Sequence, residues 1–265
     1  MKTEPTYPPI ALFDLGGRRA LVTGARRGIG RAIAEGLAAQ GAEVAVHHAP
    51  TAEETAEAAR VVATIAGRGG KARAFAADFA EPGSGTKLAT HLETTFGPID
   101  ILVLNASIEL LEPPERISTE HFDRQIGINL RAPLELLQVI LPGMKRRGWG
   151  RVVTIGSVQQ QKPHPEMLIY AGTKSAQLNW VRNLARHIGG GGVTVNNLAP
   201  GAIWTERNDR FLSDPAYREP LEKTIPLGRV GEPDDLVGAA LLLCSEAGRY
   251  IHGADILVDG GMSVS

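Results

Sequence analysis

Cysteine is almost absent from this chain: Cys244 is the only one in 265 residues. No intrachain disulfide can form, and so sparse a usage fits a reducing compartment. Cys244 sits in an apolar helical stretch and reads as packing, not as a nucleophile. An excess of either charge is lacking too. Lys and Arg total 28, Asp and Glu total 29, and the net charge is −1. There is no long basic run, which argues against nucleic acid as a partner. Lys145 to Arg147 make only a short cluster, placed where it suits a helix carboxyl end. No apolar run approaches the roughly 20 residues needed to cross a bilayer. The start, Met1 to Pro9, is polar and proline-rich, without the apolar stretch of a signal peptide. The expectation is a cytoplasmic protein with no membrane association. Residues 1–11 read as a loose tail and 12–265 as one domain.

Short apolar runs alternate with stretches of helical periodicity along the whole chain. The pattern predicts strands over 18–23, 43–48, 71–76, 100–105, 150–156, 192–198 and 255–258. It predicts helices over 28–40, 52–67, 85–96, 119–146, 168–188 and 234–245. Such alternation implies an α/β fold: a doubly wound, seven-stranded parallel sheet of Rossmann type with helices on both faces. Right-handed crossovers then bring the strand ends at 105, 157 and 199 to one sheet edge, beside the loop that follows the first strand.

That loop is rich in glycine. The strand Arg18 to Thr23 ends at Gly24, Gly28 and Gly30 follow, and a helix begins. Strand, glycine turn and helix in this order form a phosphate-binding unit: the backbone comes close and the helix start offers free N–H groups. The second strand ends at His47-His48-Ala49-Pro50, with no acid to hold a ribose 2′-hydroxyl. Arg26 and Arg27 in the loop supply forked positive charge for a 2′-phosphate instead. The reading is NADP(H) over NAD(H). His47 and His48 should point to opposite strand faces, a poor arrangement for a metal.

Further along, Tyr170 and Lys174 are one helical turn apart, and Ser157 lies at a strand end. Alone, Tyr-x-x-x-Lys also describes an ordinary surface pair. Beside a dinucleotide loop it describes a phenol held near an ammonium that favours the phenolate, with a hydroxyl to bind a substrate oxygen.

Together these motifs resemble the short-chain dehydrogenase/reductase family, from about Leu12 to the end. Thr23 to Gly30 matches its Thr-Gly-x-x-x-Gly-x-Gly loop. Leu104-Asn105-Ala106-Ser107 matches its Asn-Asn-Ala-Gly segment, with Leu104 and Ser107 departing from it. Asp259-Gly260-Gly261 matches its carboxyl-terminal signature. The resemblance implies a catalytic tetrad of Asn129, Ser157, Tyr170 and Lys174. Tyr170 would exchange the proton, Lys174 would lower its pKa and bond the nicotinamide ribose, and Asn129 would hold a relay water. It implies cofactor contacts from Gly24, Arg26, Arg27, Gly28, Ile29, Gly30, His48, Asp78, Phe79, Asn105, Ala106, Tyr170, Lys174, Pro200, Gly201, Ile203 and Thr205, and no metal. It also implies a homotetramer, paired through the long helices.

The substrate is less legible. The first reading is a carbonyl reductase like the 3-oxoacyl-[acyl-carrier-protein] reductases, acting on an acyl thioester. Against it, Gly148 and Gly191 occupy positions where such enzymes carry basic docking residues. The alternative is a sugar-acid or polyol dehydrogenase like the gluconate 5-dehydrogenases, whose opening Leu12 to Gly17 resembles. A non-catalytic NADP(H)-sensing regulator is the reading of another class. Gln159 to Gln161 and His164 could bind hydroxyls. The irregular stretch 204–232 reads as a lid, with Trp204 and Phe211 as pocket walls.

Overall fold

The computed structural model describes residues 9–265. The expected tail 1–11 lies, up to residue 8, outside the described residues, and Pro9–Phe13 forms a 3-10 turn. Seven strands follow in one parallel sheet: β1 (Arg19–Val22), β2 (Glu43–His48), β3 (Lys71–Ala76), β4 (Ile101–Leu104), β5 (Gly150–Ile155), β6 (Val193–Pro200) and β7 (Asp255–Val258). Their spatial order is β3-β2-β1-β4-β5-β6-β7. The order reverses direction between β1 and β4, which opens a crevice at the carboxyl edge there.

Alternation along the strands explains the three layers. Ala20 and Val22 of β1, with Ile101 and Val103 of β4, join a core on one face. That core takes in α1 (Gly28–Ala39), α2 (Ala52–Gly67) and α9 (Val237–Cys244). Leu21, Leu102 and Leu104 point the other way, into a core with α3 (Ser84–Thr95), α5 (Ala132–Arg147) and α6 (Leu168–Ile188). A strand covered on both faces must be apolar at every position, which is why β1 and β4 read as continuous apolar runs. Cys244 is fully buried in the first core, and burial pushes its thiol up to about 12, so it packs.

Two elements differ from expectation. The single helix expected over 119–146 is α4 (Thr119–Ile126), then a π-helical segment Gly127–Arg131, then α5. Pro133 at the start of α5 has no N–H to give to the preceding turn. The stretch 204–232 holds two short helices, α7 (Asp209–Leu212) and α8 (Pro215–Lys223).

Candidate active site

The glycine loop is fixed from three sides. The Thr23 hydroxyl donates to the Val103 carbonyl at 3.2 Å and accepts from the amides of Asn105 and Ala106, each at 2.9 Å. The Asn105 side chain donates to the Thr23 carbonyl at 2.8 Å and the Gly24 carbonyl at 3.2 Å. From the other side, the Gly24 amide donates to His47 Nδ1 at 3.0 Å. His47 Nε2 faces the Ala77 carbonyl at 3.1 Å, so Nε2 carries the proton. The ring stacks on Phe79 with centroids 4.0 Å apart. Burial lowers the His47 pKa to about 4, which keeps the imidazole neutral and able to accept. His47 was no site candidate in the sequence, yet it ties the glycine loop to the ends of β2 and β3.

The loop presents the donors a pyrophosphate needs. Hydrogen bonding in α1 begins at Arg31, whose amide reaches the Arg27 carbonyl at 3.2 Å. Arg27 gives no side-chain cap, so the amides of Gly28, Ile29 and Gly30 are left facing the crevice. Gly30 must be glycine: an added Cβ would lie 2.5 Å from the Gly24 carbonyl oxygen. Thr205 comes over this cradle from the far side, its methyl group 3.3 Å from where a Gly28 Cβ would stand. Pro200 ends β6, and Gly201 passes so close to Asp259 that a Cβ would clash at 2.8 Å. Ile203 is buried and pairs its backbone with Gly231.

The two arginines differ. Arg26 Nε lies 2.9 Å from Glu54 and its Nη1 pairs with Glu57, both on α2. Its charge is therefore already matched, unlike the free pair expected from the sequence. Arg27 forms no ion pair among the described residues. His48 is buried, with Nδ1 turned to the Ala49 carbonyl at 2.8 Å. Asp78 is exposed at the end of β3, its Oδ1 accepting from the Ala80 amide at 2.9 Å.

The tetrad residues gather at the same sheet edge. Ser157 follows β5, Tyr170 and Lys174 lie on α6, and Asn129 lies in the π-helical segment; all four are buried. Lys174 Nζ is 5.6 Å from the Tyr170 ring centroid, as the one-turn spacing requires. It donates to the Ile155 carbonyl at 2.7 Å and to Gln177 Oε1 at 3.5 Å. Gln177 Nε2 in turn donates to the Asn129 carbonyl at 2.6 Å. Gln177 thus connects Lys174 to the backbone of Asn129. The Asn129 side chain clasps the loop after β4: Oδ1 accepts from the Ile108 amide and Nδ2 donates to its carbonyl, both at 2.9 Å.

Burial dominates the electrostatics of the pair. The Tyr170 phenol is raised, not lowered: burial dominates, Arg207 opposes it, Glu109 adds to it, and a hydrogen bond with Ser157 pulls back. Lys174 falls to about 7, chiefly by burial and next by the charge of Arg207, with Glu109 opposing. Arg207 and Glu109, neither of them a candidate in the sequence, act on both groups.

The residues expected to line a substrate pocket take varied positions. Gln160 donates to Asp255 at 2.7 Å and Gln161 to the same carboxylate at 3.2 Å. His164 Nδ1 accepts from the Glu166 amide at 3.2 Å, a local turn. Trp204 packs on the small cluster of Val158, Leu212, Ile225, Val230 and Met262, its N–H donating to Asp209 at 2.9 Å. Phe211 lies 5.6 Å from Tyr217, centroid to centroid. Gln159, two residues past Ser157, keeps a buried Oε1 with no partner.

Comparison with known proteins agrees with this geometry. A family model described as enoyl-(acyl carrier protein) reductase matches residues 24–263. A gluconate 5-dehydrogenase of Gluconobacter oxydans is 37% identical over 96% of this chain and 98% of its own. An L-rhamnose 1-dehydrogenase (NAD(P)+) of Azotobacter vinelandii is 37% identical over 94% of this chain and 97% of its own. The crystal structure of a 3-oxoacyl (acyl-carrier-protein) reductase from Agrobacterium tumefaciens with NADP bound superposes with a TM-score of 0.91. It is 40% identical and covers 97% of this chain and 98% of its own. With the family's glycine loop, tetrad and sheet order all in place, the chain belongs to the short-chain dehydrogenase/reductase family of oxidoreductases.

Proposed function

We propose that the protein is an NADP(H)-dependent dehydrogenase of CH–OH groups whose substrates are sugar acids or polyols. The observation that carries this reading is the polar mouth of the site. Glu109 and Arg207, the latter held by Ser107, act on both Tyr170 and Lys174. Hydroxyl-rich molecules meet such groups with hydrogen bonds, whereas an acyl chain would leave them unpaired. The gluconate and rhamnose relatives support the same reading. The acyl-carrier reading keeps support from the Agrobacterium structure. It is weakened on this surface: Gly148 and Gly191 offer no charge, and Arg147 is occupied by the Ile99 carbonyl at 2.6 Å and by Asp100.

The residues divide the work physically. The free amides of Gly28, Ile29 and Gly30 would hold the pyrophosphate, and Arg27 the 2′-phosphate. Bound there, NADP(H) supplies or accepts the hydride. Ser157 would hold the substrate oxygen, and Tyr170 would give or take its proton in a dry setting. Lys174 would orient the ribose, and Asn129 and Gln177 would hold Lys174 and the loop after β4 in place.

The test is a turnover panel in both directions. With NADPH it includes 5-ketogluconate, acetoacetyl thioesters and simple diketones; with NADP+ it includes gluconate, L-rhamnose and threitol. Tyr170→Phe serves as the control and should lower kcat by about 10²- to 10⁴-fold, the usual worth of a general acid or base. Turnover of thioesters alone would sink the sugar-acid reading. An active Tyr170→Phe enzyme would sink the tetrad assignment.

A further inference from the structure

Arg207 lies two residues past Thr205, on the segment leaving β6. Its guanidinium crosses to the loop that leaves β4. There Nη2 donates to the Ser107 carbonyl at 2.6 Å, and the two terminal nitrogens reach the Ser107 hydroxyl at 3.4 and 3.5 Å. The preceding side chain goes elsewhere: Glu206 Oε2 lies 3.6 Å from where a Gly28 Cβ would stand. Neighbouring residues thus split between two ends of one cleft. Glu206 faces the phosphate cradle, and Arg207 faces the reacting end.

Arg207 is exposed and forms no ion pair among the described residues. Its protein partners are the neutral oxygens of one serine. A guanidinium has five donors in a rigid fork, so this attachment leaves both donors and full charge for an incoming group. Glu109 is the opposing charge at the mouth. Arg207 acts on both Tyr170 and Lys174, and Glu109 opposes it at each.

We propose that Arg207 is the receptor for a substrate carboxylate, and that the substrate is a polyhydroxy acid whose anionic end meets Arg207 while its reacting carbon faces Tyr170 and Ser157. The proposal rests on the dehydrogenase reading and narrows it from sugars at large to acids. Anchoring by Ser107 holds the fork ready before substrate arrives, so little ordering is needed on binding.

The experiment compares wild type, Arg207→Gln and Arg207→Lys, each saturated with NADPH for binding, so that the alcohols are not turned over, and with NADP+ for kinetics. Calorimetry measures the Kd of D-gluconate and of D-sorbitol, its uncharged six-carbon counterpart. Kinetics give kcat/KM for acids and neutral polyols. Arg207→Gln should weaken gluconate by about 10- to 100-fold, the scale of a lost charge-assisted pair. The ratio of acid to polyol kcat/KM should fall in parallel, and Arg207→Lys should recover part of it. Three results would overturn the proposal. One is equal gluconate affinity in wild type and Arg207→Gln. Another is wild type binding gluconate no better than sorbitol. The third is a loss confined to NADP+ affinity, which would make Arg207 a phosphate ligand. Failure of the two readings looks different. Arg207-dependent gluconate binding without turnover of any alcohol would refute the dehydrogenase reading and leave the receptor standing. Turnover of polyols with no Arg207-dependent preference for acids would do the reverse.

Discussion

Replacing Lys174 by methionine should remove a pH dependence of folding stability that the wild type carries between pH 7 and pH 10. Lys174 is buried and its pKa falls from 10.5 to about 7, first through desolvation and next through Arg207. At about 1.4 kcal/mol per unit, burial costs the charged form about 5 kcal/mol relative to the unfolded chain. Below pH 7 the lysine is charged in both states and the full penalty applies. Between 7 and 10.5 the unfolded chain binds the extra proton, so stability rises with pH; above 10.5 the penalty is gone. From pH 7 to pH 9 the wild type should gain about 2 kcal/mol that Lys174→Met does not. The lost bond to the Ile155 carbonyl costs about 1–3 kcal/mol at every pH, so it shifts the variant's curve without tilting it. Tyr170 is raised above 10 and His47 titrates near 4, so neither ionises in this window. Urea unfolding of both proteins at pH 7, 8 and 9, at one concentration, reads the difference directly. Parallel curves would refute the argument, because they would mean the lysine is not held neutral by its surroundings.

Two other substitutions test the cofactor side. Arg27→Ala should lower the NADP+ to NAD+ ratio of kcat/KM by about 10-fold or more, the worth of a forked phosphate contact. Arg26→Ala, whose parent is matched by Glu54 and Glu57, should cost stability and leave the ratio largely in place. The opposite ranking would return the 2′-phosphate to Arg26. His47→Leu strips the acceptor from the Gly24 amide and the donor from Ala77, so stability should drop by about 2 kcal/mol and NADPH affinity should weaken. The drop should be constant above about pH 7.5 and shrink by about 1 kcal/mol at pH 6, where the unfolded imidazole takes up a proton that the buried ring refuses; unchanged cofactor affinity would show that the loop holds its shape without it.

What the sequence revealed and what it hid follow from the range of the interactions. The central strands were legible because they are covered on both faces, so Ile101 to Leu104 is apolar throughout and Val152 to Ile155 is broken only by Thr154, whose hydroxyl bonds Asn197. The tetrad was legible because Tyr170 and Lys174 are paired by helix geometry alone. The π-helical segment was not: the apolar rhythm of 119–146 runs on through it, and the bonds from Asn129 that exploit it go to Ile108, far back in the chain. Nor could two adjacent arginines announce which one is spent. That depends on Glu54 and Glu57, one helical turn apart on α2 and arriving at Arg26 only through the fold. One clue was present and passed over. Gln177 stands among the apolar positions of 168–188, three residues after Lys174, and a polar residue on a buried stripe needs a partner.

That partner changes how the site is understood. Charge in the tetrad was expected to act between neighbours, with the lysine easing ionisation of the phenol one turn away. The fold instead buries both groups, which pushes the phenol up and the ammonium down until each tends toward its neutral form. The lysine's hydrogen bonds run to Ile155 and, through Gln177, to Asn129. At the rim Arg207 acts on both groups, lowering the pKa of each. Arg207 is anchored to Ser107, the residue standing where the family pattern has glycine. A glycine there would keep the carbonyl that Arg207 bonds and lose the hydroxyl beside it. The departure at position 107 and the arginine at 207 therefore belong to one arrangement.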